Sequence, residues 1–369
     1  MTDVKTAVIV GWGQVGQACR DAIETNRLVH GDFNLAGIIS RDPARVTRDF
    51  REVPVFGFDN FQRLLDNVKV DVAFLCGGSK RDMFGDKEEV DKILGNPSEV
   101  DAIVSAGGKA LLKLGHGAFF AQFFPVTVDS FDTHPRIADY YDVMDKVGRK
   151  NQTLPVISTG WDPGTFSEAR MAFDAYAIGD IPQPFYGLSP RGGKSMGHSN
   201  ALLTIPGVRK AIQYTHAIPE TIERARRGEV IPENEKTVTR EAILVLERNT
   251  PDERARVEPL VRNMKDYFRG YKTTVDFVDD ETFDREHADA KQHDGVVIGV
   301  GKIGKFTSRH ELHCAYESNA HGTTGIMVAN ARGAYRLWQE GRRGVCISPE
   351  IPTTYKNARS IRDLLKRFM

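Results

Sequence analysis

The sequence predicts an α/β protein in two parts, and three observations predict it. First, the apolar run Thr6–Val10 leads directly into Gly11-x-Gly13-x-x-Gly16, and a helix-compatible stretch follows. Second, further short apolar runs alternate with helical segments in the first half of the chain, as parallel strands do. Third, the strand-like runs beyond about residue 185 are longer and antiparallel in character. Together they predict a Rossmann-type, doubly wound parallel sheet followed by an α+β domain.

The glycine-rich turn lies between the first strand and a helix predicted over Gln17–Glu24. A turn of this kind brings backbone N–H groups and the positive end of the helix dipole to a pyrophosphate. Gly11, Gly13 and Gly16 alone would also fit an ordinary turn, because glycine is frequent in turns of every type. The strand before them favours a nucleotide cofactor.

The second strand, predicted over Asn34–Ser40, ends roughly 20 to 25 residues after the last glycine, where folds of this type contact the adenosine ribose. An NAD site usually has an acidic residue there, whereas this strand ends in Ser40-Arg41 and Asp42 follows. A hydroxyl and a guanidinium suit a 2′-phosphate, which favours NADP as the cofactor. The alternative for Arg41 is a solvated loop charge.

Three more apolar strands continue the sheet and are predicted over Asp71–Cys76, Pro125–Asp129 and Pro155–Thr159. Each ends in small or polar residues, and ligands of open parallel sheets bind at this carboxyl edge. Gly77 and Gly78, within Cys76–Ser79, would let a cofactor approach the backbone closely. A plain tight turn has the same composition and is the alternative.

A turn over Gly160–Ser167 precedes a helix predicted over Glu168–Ala177. Pro163 fits the first turn of this helix and Asp162 its N-cap, which is the purely structural interpretation of that aspartate. The strands predicted for the second domain are Glu241–Glu247, Thr273–Val278, Gly295–Val300 and Ser308–Tyr316. The other predicted helices are Lys87–Leu94, Val100–Leu114, Thr323–Gln339 and Ala358–Phe368. We expect the last two to pack back on the first domain.

Composition narrows the class of function. The chain has 369 residues, of which 50 are basic and 50 acidic without a long run of one sign, so neither nucleic acid nor a membrane is an expected partner. The absence of a leader-like segment and the scattered cysteines predict a cytoplasmic enzyme with a small-molecule substrate. His310 and His313 lie three positions apart in a strand-like segment and so on opposite faces, which predicts no metal site.

Four longer motifs resemble the meso-diaminopimelate dehydrogenase family. They are VDSFDTH at 128–134, GWDPGTFS at 160–167, MGHSNALLTIPGVRKAIQYT at 196–215 and FDREH at 283–287. The resemblance covers most of the chain, apart from apparent insertions around residues 86–115 and near 189–194. It implies a homodimeric, NADP-dependent enzyme that oxidatively deaminates the D-centre of meso-2,6-diaminopimelate to L-2-amino-6-oxopimelate and ammonia.

The resemblance further implies the roles of the domains and of single residues. Residues 1–160, completed by about 320–369, would bind the dinucleotide, and residues 161–319 would bind substrate and form the dimer. The cofactor would contact Gly11, Trp12, Gly13, Gln14, Val15, Gly16, Ser40, Arg41, Cys76, Gly77, Gly78, Ser79, Ser130 and Phe131. Asp132 and Asp162 would flank the reacting centre. The substrate-binding residues would be Trp161, Pro163, Gly164, Thr165, Phe166, Ser167, Met196, Gly197, Asn200, Thr215, Arg240, His293 and Asn319.

The chemistry of oxidative deamination agrees with this set. The amine must lose a proton before hydride leaves the α-carbon, and the water that adds to the iminium must lose one too, so a proton acceptor is needed. Asp132 or Asp162 could serve, and which of them is the base stays open. Thr215, Arg240, His293 and Asn319 match positions that hold the distal L-centre, where Arg240 offers a planar fork to a carboxylate. A salt bridge on a sheet is the alternative for Arg240.

Two departures from the family pattern bear on the substrate. Met196 and Asn200 stand where members often have Gln and Asp in a QGHSD stretch, and the neutral Asn200 cannot pair ionically with a distal ammonium. Arg136 stands where some members have Asp. The alternative functions are therefore a related NADP-dependent D-amino-acid dehydrogenase with another distal pocket, and a nucleotide-binding protein without catalysis.

Overall fold

The structure is a computed structural model and describes residues 4–78, 82–176, 178–179, 181–265 and 267–369. The strands are β1 (Lys5–Val10), β2 (Phe33–Ser40), β3 (Val55–Gly57), β4 (Val72–Leu75), β5 (Val126–Asp129), β6 (Leu154–Ile157), β7 (Ile178–Gly179), β8 (Gln183–Tyr186), β9 (Gly193–Lys194), β10 (Val208–Ala217), β11 (Val238–Leu246), β12 (Thr273–Phe277), β13 (His293–Ile303), β14 (Phe306–Tyr316) and β15 (Cys346–Ile347).

The α-helices are α1 (Gln14–His30), α2 (Pro43–Asp49), α3 (Gln62–Leu65), α4 (Lys87–Leu94), α5 (Pro97–Ala106), α6 (His116–Ala121), α7 (Ile137–Asn151), α8 (Thr165–Tyr176), α9 (Met196–Leu202), α10 (Pro219–Arg226), α11 (Pro251–Arg262), α12 (Asp280–Glu286), α13 (Asn319–Gln339), α14 (Thr353–Lys356) and α15 (Ile361–Phe368). Within the described ranges, no helix is both long and apolar enough to cross a membrane. The chain forms two compact units, Met1–Glu168 with Ala320–Met369, and Ala169–Asn319.

The first unit is built on a seven-stranded sheet in the order β15-β6-β5-β4-β1-β2-β3. Its strand pairs are parallel, which confirms the predicted fold class. The order reverses at β1, whose neighbours are β2 on one side and β4 on the other. This is the doubly wound arrangement, in which the carboxyl ends of strands at the reversal form a ligand-binding crevice.

Both faces of this sheet are buried because alternate residues of each strand pack into separate cores. Val8 and Val10 of β1 face a core that includes helices α5 and α7, whereas Ala7 and Ile9 face a core that includes α1 and α13. A strand buried on both faces has an apolar side chain at nearly every position. That composition is the reason the strands could be recognised from the sequence.

The apparent insertion around residues 86–115 is a folded part of the first unit. Helix α4 has the predicted bounds, but the predicted helix Val100–Leu114 is wrong, since α5 ends at Ala106 and a 3₁₀ helix covers Gly108–Leu114. Gly107 and Gly108 have φ of 63° and 56°, a left-handed conformation that ends an α-helix. Arg136 is buried beside the insertion, with its guanidinium over the ring of Phe84 and 3.4 Å from Asp91.

The second unit contains two sheets, one in the order β12-β11-β10-β9 and one in the order β14-β13-β7, in which β13 also pairs with β8. The expectation of antiparallel strands is wrong for one pair, because β11 and β12 are parallel. Helix α11 lies between them in the chain, and a helical crossover allows two successive strands to run in the same direction. Strand β10 was not predicted, although its residues belong to the motif at 196–215.

Several predicted helix bounds are also wrong. Helix α1 begins three residues earlier than predicted and continues to His30, where Gly31 with φ of 65° ends it. Helix α8 begins at Thr165, so Asp162 and Pro163 lie before the helix and Asp162 is not its N-cap. Helices α13 and α15 begin at Asn319 and Ile361. Residues 320–369, including these last helices, belong to the first unit.

Candidate functional site

A cleft of about 310 Å³ lies at the carboxyl ends of β1, β2 and β4 in the first unit. The predicted cofactor residues that line it are Gly11, Trp12, Gly13, Ser40, Arg41, Cys76, Gly77 and Gly78. Gln14, Val15 and Gly16 form the first turn of α1 instead, and Ser130 and Phe131 follow β5. Ser79 lies outside the described residues.

The three glycines of the first turn have different structural roles. Gly11 has φ of 100°, and a Cβ atom there would lie 2.9 Å from the carbonyl oxygen of Cys76. A Cβ atom on Gly16 would lie 2.2 Å from the carbonyl oxygen of Gly11, so these two positions have no room for a side chain. Gly13 caps α1, and a Cβ atom there would meet nothing within 4 Å. The open space at a helix N-terminus fits a pyrophosphate.

The end of β2 presents a hydroxyl and two guanidinium groups to this cleft. Ser40 Oγ accepts a hydrogen bond from the backbone N–H of Asp42. Asp42 is the N-cap of α2, and its carboxylate accepts a hydrogen bond from the N–H of Arg45 in the first turn of that helix. Arg45 also lines the cleft, beside Arg41. It was not predicted as a cofactor-binding residue, although its position in the first turn of the helix that follows Ser40 could have indicated this role. Two arginines and a serine suit a 2′-phosphate.

Arg41 is paired with an acidic residue at the same cleft. Its two terminal nitrogens donate to Asp82 over 3.1 and 3.2 Å, and the second carboxylate oxygen of Asp82 also accepts from the N–H of Gly78. The Arg41 side chain is 69% exposed, so this pair contributes little to stability. Arg41 is thus an exposed charge after β2, as in the alternative of a solvated loop charge, and its guanidinium is also paired and lines the cleft.

Asp132 and Asp162 follow neighbouring strands of the parallel sheet, β5 and β6. The segments that carry them are joined by Asp129, a buried residue at the end of β5. Asp129 Oδ1 accepts from the N–H groups of Phe131 and Ser158 over 2.9 Å each, and its other oxygen accepts from Tyr140 over 2.8 Å. Burial raises the pKa of Asp129 to about 6, although these hydrogen bonds act in the opposite direction. Sequence reasoning missed this positioning role.

The turn from Gly160 to Ser167 has a compact backbone. Gly164 has φ of 138°, and a Cβ atom there would lie 1.7 Å from the carbonyl oxygen of Gly160. The rings of Trp161 and Phe166 are buried against each other with centroids 4.8 Å apart. Pro163 follows Asp162 through a cis peptide bond, and Thr165 begins α8. Asp162 thus lies on the turn between β6 and α8.

In the second unit, the residues implied for the distal centre gather around β9. Thr215 of β10 is directly opposite Arg240 of β11 and Gly193 of β9, so all three positions share one face of the sheet. A Cβ atom on Gly193 would lie 2.2 Å from Nδ1 of His293, which places that imidazole over the same face. Asn319 Nδ2 donates to the carbonyl of Lys194 over 3.4 Å.

Arg240 is 8% exposed, and its guanidinium lies 4.1 Å from the ring centroid of Tyr271. No described carboxylate forms an ion pair with Arg240, and its buried Nε has no hydrogen-bond partner among those residues. Among the described residues, the alternative that Arg240 forms a salt bridge on the sheet is therefore wrong. Burial lowers the pKa of Arg240, since the charge has lost its hydration. A buried cation of this kind needs an anion.

Two neighbours of Arg240 complete the polar surface. The hydroxyl of Thr215 is buried and donates to no residue that the structure describes. Burial lowers the pKa of His293 to about 4, so the imidazole is neutral at pH 7. The Thr215 hydroxyl and Arg240 Nε thus present donors without a described acceptor, although the Arg240 side chain is also hydrogen-bonded to Tyr271, and a carboxylate, which only accepts, would satisfy both.

Helix α9 carries Met196, Gly197 and Asn200. Ser195 caps its N-terminus, and Ser199 Oγ accepts from the N–H of Gln213 on β10, which fixes the helix against the sheet. Asn200 is exposed. The helix sequence MGHSNAL contains no acidic residue, so this helix offers no anionic partner to an ammonium group.

Comparisons with known proteins cover nearly the whole chain. Residues 160–318 match the diaminopimelic acid dehydrogenase C-terminal domain. Meso-diaminopimelate D-dehydrogenase of Ureibacillus thermosphaericus is 33% identical over 364 residues, which are 98% of each chain. A solved structure of Corynebacterium glutamicum diaminopimelate dehydrogenase in complex with diaminopimelate superposes with a TM-score of 0.80 at 31% identity, over 100% of both chains. An engineered D-amino-acid dehydrogenase bound to NADP+ gives a TM-score of 0.79, also at 31% identity and over 100% of both chains.

Proposed function

The chain belongs to the meso-diaminopimelate dehydrogenase family, and from this premise we propose that it oxidatively deaminates the D-centre of meso-2,6-diaminopimelate. The products are L-2-amino-6-oxopimelate and ammonia, and the reaction is reversible. The observation that carries the proposal is Arg240, a buried guanidinium with no described carboxylate partner, directly opposite the buried hydroxyl of Thr215. The second carboxylate of diaminopimelate supplies the anion that this pair lacks.

NADP is the cofactor, and the first unit fits it. The open space at Gly13 and the N-terminus of α1 accommodate the pyrophosphate, and Ser40, Arg41 and Arg45 hold the 2′-phosphate. Bound NADP+ would supply the acceptor for the hydride that the substrate α-carbon loses. Gly77 and Gly78 line the same cleft and add no side chain of their own to it.

Asp132 and Asp162 hold the reacting amino group and accept its proton. A carboxylate binds an ammonium through charge-assisted hydrogen bonds, and the same oxygen receives the proton when the amine is freed for oxidation. The water that adds to the resulting iminium carbon also loses a proton to one of them. Asp129, through the N–H groups of Phe131 and Ser158, holds the two segments in a fixed arrangement.

At the distal centre, Arg240 and Thr215 bind the carboxylate. The neutral His293 lies over the same sheet face, and Asn319 is held beside β9. Removing one partner of a buried charge pair costs about 2–5 kcal/mol, much of it from the charge left unpaired. A substrate without the distal carboxylate would leave Arg240 in that unfavourable state.

A second candidate function is favoured by helix α9. Met196 and Asn200 are neutral, so the chain has no charged residue there for the distal ammonium. The distal amine then contributes little to selectivity, and the second candidate is a related NADP-dependent D-amino-acid dehydrogenase of different substrate specificity. A protein that binds nucleotide without catalysis is disfavoured, because Asp132, Asp162 and Arg240 are all present.

We also propose that the active form is a cytoplasmic homodimer. Exposed apolar side chains lie at one end of the β7–β13–β14 sheet, where Ile178 is 87%, Ile303 60% and Phe306 69% exposed. Such a group of apolar side chains is typical of a protein interaction surface.

The function is tested by NADPH formation with meso-, LL- and DD-diaminopimelate and with a panel of apolar D-amino acids. The Arg240→Met variant should lower kcat/KM for meso-diaminopimelate by about 30-fold or more, and should leave apolar D-amino acids unaffected or improved. Arg248→Met, an exposed arginine of the same unit, is the matched control and should change neither. A parallel loss on both substrates, or a wild type that prefers an apolar D-amino acid, would favour the second candidate.

A further inference from the structure

We propose that Gln213 is a positioning residue for the distal carboxylate. Its amide nitrogen donates a hydrogen bond to Thr215 Oγ1 and thereby directs the proton of that hydroxyl to the substrate. This inference rests on the proposed function, because it assigns Gln213 to the site that binds the distal carboxylate. Gln213 stands two residues before Thr215 on β10, so both side chains share one face of the strand.

Hydrogen bonds hold both the backbone and the side chain of Gln213. Its N–H donates to Ser199 Oγ over 3.0 Å, and its carbonyl accepts from the N–H of Ser195 over 3.1 Å. The side chain is fully buried, with an exposure of 0%. Its Nε2 donates to the carbonyl of Tyr214 over 2.6 Å and to Thr215 Oγ1 over 3.2 Å. Both amide protons are therefore used, and one of them reaches the hydroxyl that we assign to the substrate.

The direction of the hydrogen bond to Thr215 determines what the hydroxyl can do. A hydroxyl has one proton to donate, and a side-chain amide nitrogen only donates. Because Gln213 Nε2 is the donor, Thr215 Oγ1 accepts and retains its own proton. No described residue accepts that proton. The free O–H lies on a position directly opposite Arg240, so donor and cation face the same ligand group.

The amide oxygen of Gln213 points to the same conclusion. Its Oε1 is buried and has no hydrogen-bond partner among the described residues. An unsatisfied buried acceptor destabilises a fold, and an apolar side chain of the same size would avoid the penalty. Gln213 thus carries a cost that core packing does not require, and an apolar residue could replace neither the bond from Nε2 to Thr215 nor the one to the carbonyl of Tyr214; of the two, only the bond to Thr215 reaches a side chain assigned to the substrate.

The test is a double-mutant cycle with two substrates. Gln213→Met removes the donor at similar volume, and we expect it to raise the KM for meso-diaminopimelate about tenfold while kcat stays within about twofold. KM for an apolar D-amino acid should not change. In a Thr215→Val background, Gln213→Met should raise KM no further, since the hydroxyl that it orients is gone.

Two further variants separate positioning from packing. Gln183→Met is the matched control, because Gln183 also donates its amide nitrogen to a backbone carbonyl, that of Ile231, in another sheet of the same unit. It should leave both KM values unchanged. Gln213→Glu cannot donate when ionised and would capture the Thr215 proton, so it should raise KM for meso-diaminopimelate at least as much as Gln213→Met. It also serves as the test if Gln213→Met does not fold.

The outcomes distinguish this inference from the function on which it rests. A wild type that neither turns over meso-diaminopimelate nor binds it in calorimetry overturns both. A wild type that uses meso-diaminopimelate, with Gln213 variants whose KM is unchanged, overturns the inference alone. An equal rise of KM for both substrates, or the full rise persisting in the Thr215→Val background, also overturns it, because either result indicates a general packing defect.

Discussion

At the scale of single residues, burial rather than residue type decides the chemistry of this protein. Asp129 and Asp132 are three positions apart, yet Asp129 is fully buried and bound by three donors whereas Asp132 is exposed. Asp129 therefore organises backbone, and Asp132 is left accessible to a substrate. Arg41 and Arg240 differ in the same way, since one is a surface charge at a cleft and the other is a desolvated cation.

The exposed Arg41 should decide between cofactors. We expect Arg41→Ala to raise the Kd for NADPH by about tenfold or more and to change that for NADH less than about twofold, because only NADPH has the 2′-phosphate. Fluorescence titration of both cofactors measures this. Arg48→Ala is the control, because Arg48 is an exposed arginine in the last turn of the following helix, α2, and does not line the cleft. Equal weakening of both cofactors would contradict the role given to Arg41.

The buried Asp129 should give the wild type a characteristic pH dependence. Its pKa is raised from 3.8 to about 6, so the folded state binds this proton more tightly than the unfolded chain does. The stabilisation is full below about pH 4 and is lost as the pH rises through about 6, a change of about 3 kcal/mol. Asp129→Asn should abolish it. Urea unfolding from pH 4 to 7 measures the difference between variant and wild type, and a difference independent of pH would refute the prediction.

At the scale of elements, separate glycines of the β1–α1 turn have the structural role and the proposed binding role. Gly16→Ala should destabilise the first unit, because the added Cβ atom would lie 2.2 Å from the Gly11 carbonyl. Gly13→Ala should leave the thermal unfolding temperature nearly unchanged, since nothing lies within 4 Å of its Cβ atom, yet weaken NADPH binding about tenfold or more by occupying the pyrophosphate position.

The two variants control each other. Thermal unfolding without cofactor and NADPH titration, measured on both proteins, separate folding from binding. If Gly13→Ala binds NADPH as the wild type does, the pyrophosphate does not lie against this helix terminus. If Gly16→Ala is as stable as the wild type, the close approach of α1 to the Gly11 backbone is not a constraint on the fold.

At the scale of the whole molecule, the exposed apolar end of the β7–β13–β14 sheet should be a subunit interface. We expect Phe306→Glu to convert a dimer to a monomer, because a charge cannot be buried there without a partner. Light scattering coupled to size-exclusion chromatography measures the mass. Leu28→Glu, at an exposed leucine of α1, is the matched control and should remain dimeric. A monomeric wild type, or a dimeric Phe306→Glu, would contradict the proposed interface.

The sequence by itself determined the class of the first unit and the family, and it predicted the nucleotide site. These depend on local signals: apolar runs buried on both faces, glycines where α1 meets β1, and a strand that ends in Ser40-Arg41. Each is complete within a short segment, and a short segment reports its own backbone and burial. The four family motifs likewise need only their own residues and order.

Tertiary structure alone decided the arrangement of the site. Register places Thr215 opposite both Arg240 and Gly193, and Gly193 leaves room for the His293 ring, which is 100 residues away in the chain. The parallel pairing of β11 and β12 could not be predicted, because the periodicity of a strand does not identify its partner. The end of α5 before Gly107 could not be predicted either, because periodicity does not report the left-handed conformation of one residue. Asp129 gained its role only when folding placed Phe131, Ser158 and Tyr140 around it. Hydrogen bonds and desolvation depend on neighbours in space, and those neighbours exist only in the packed chain.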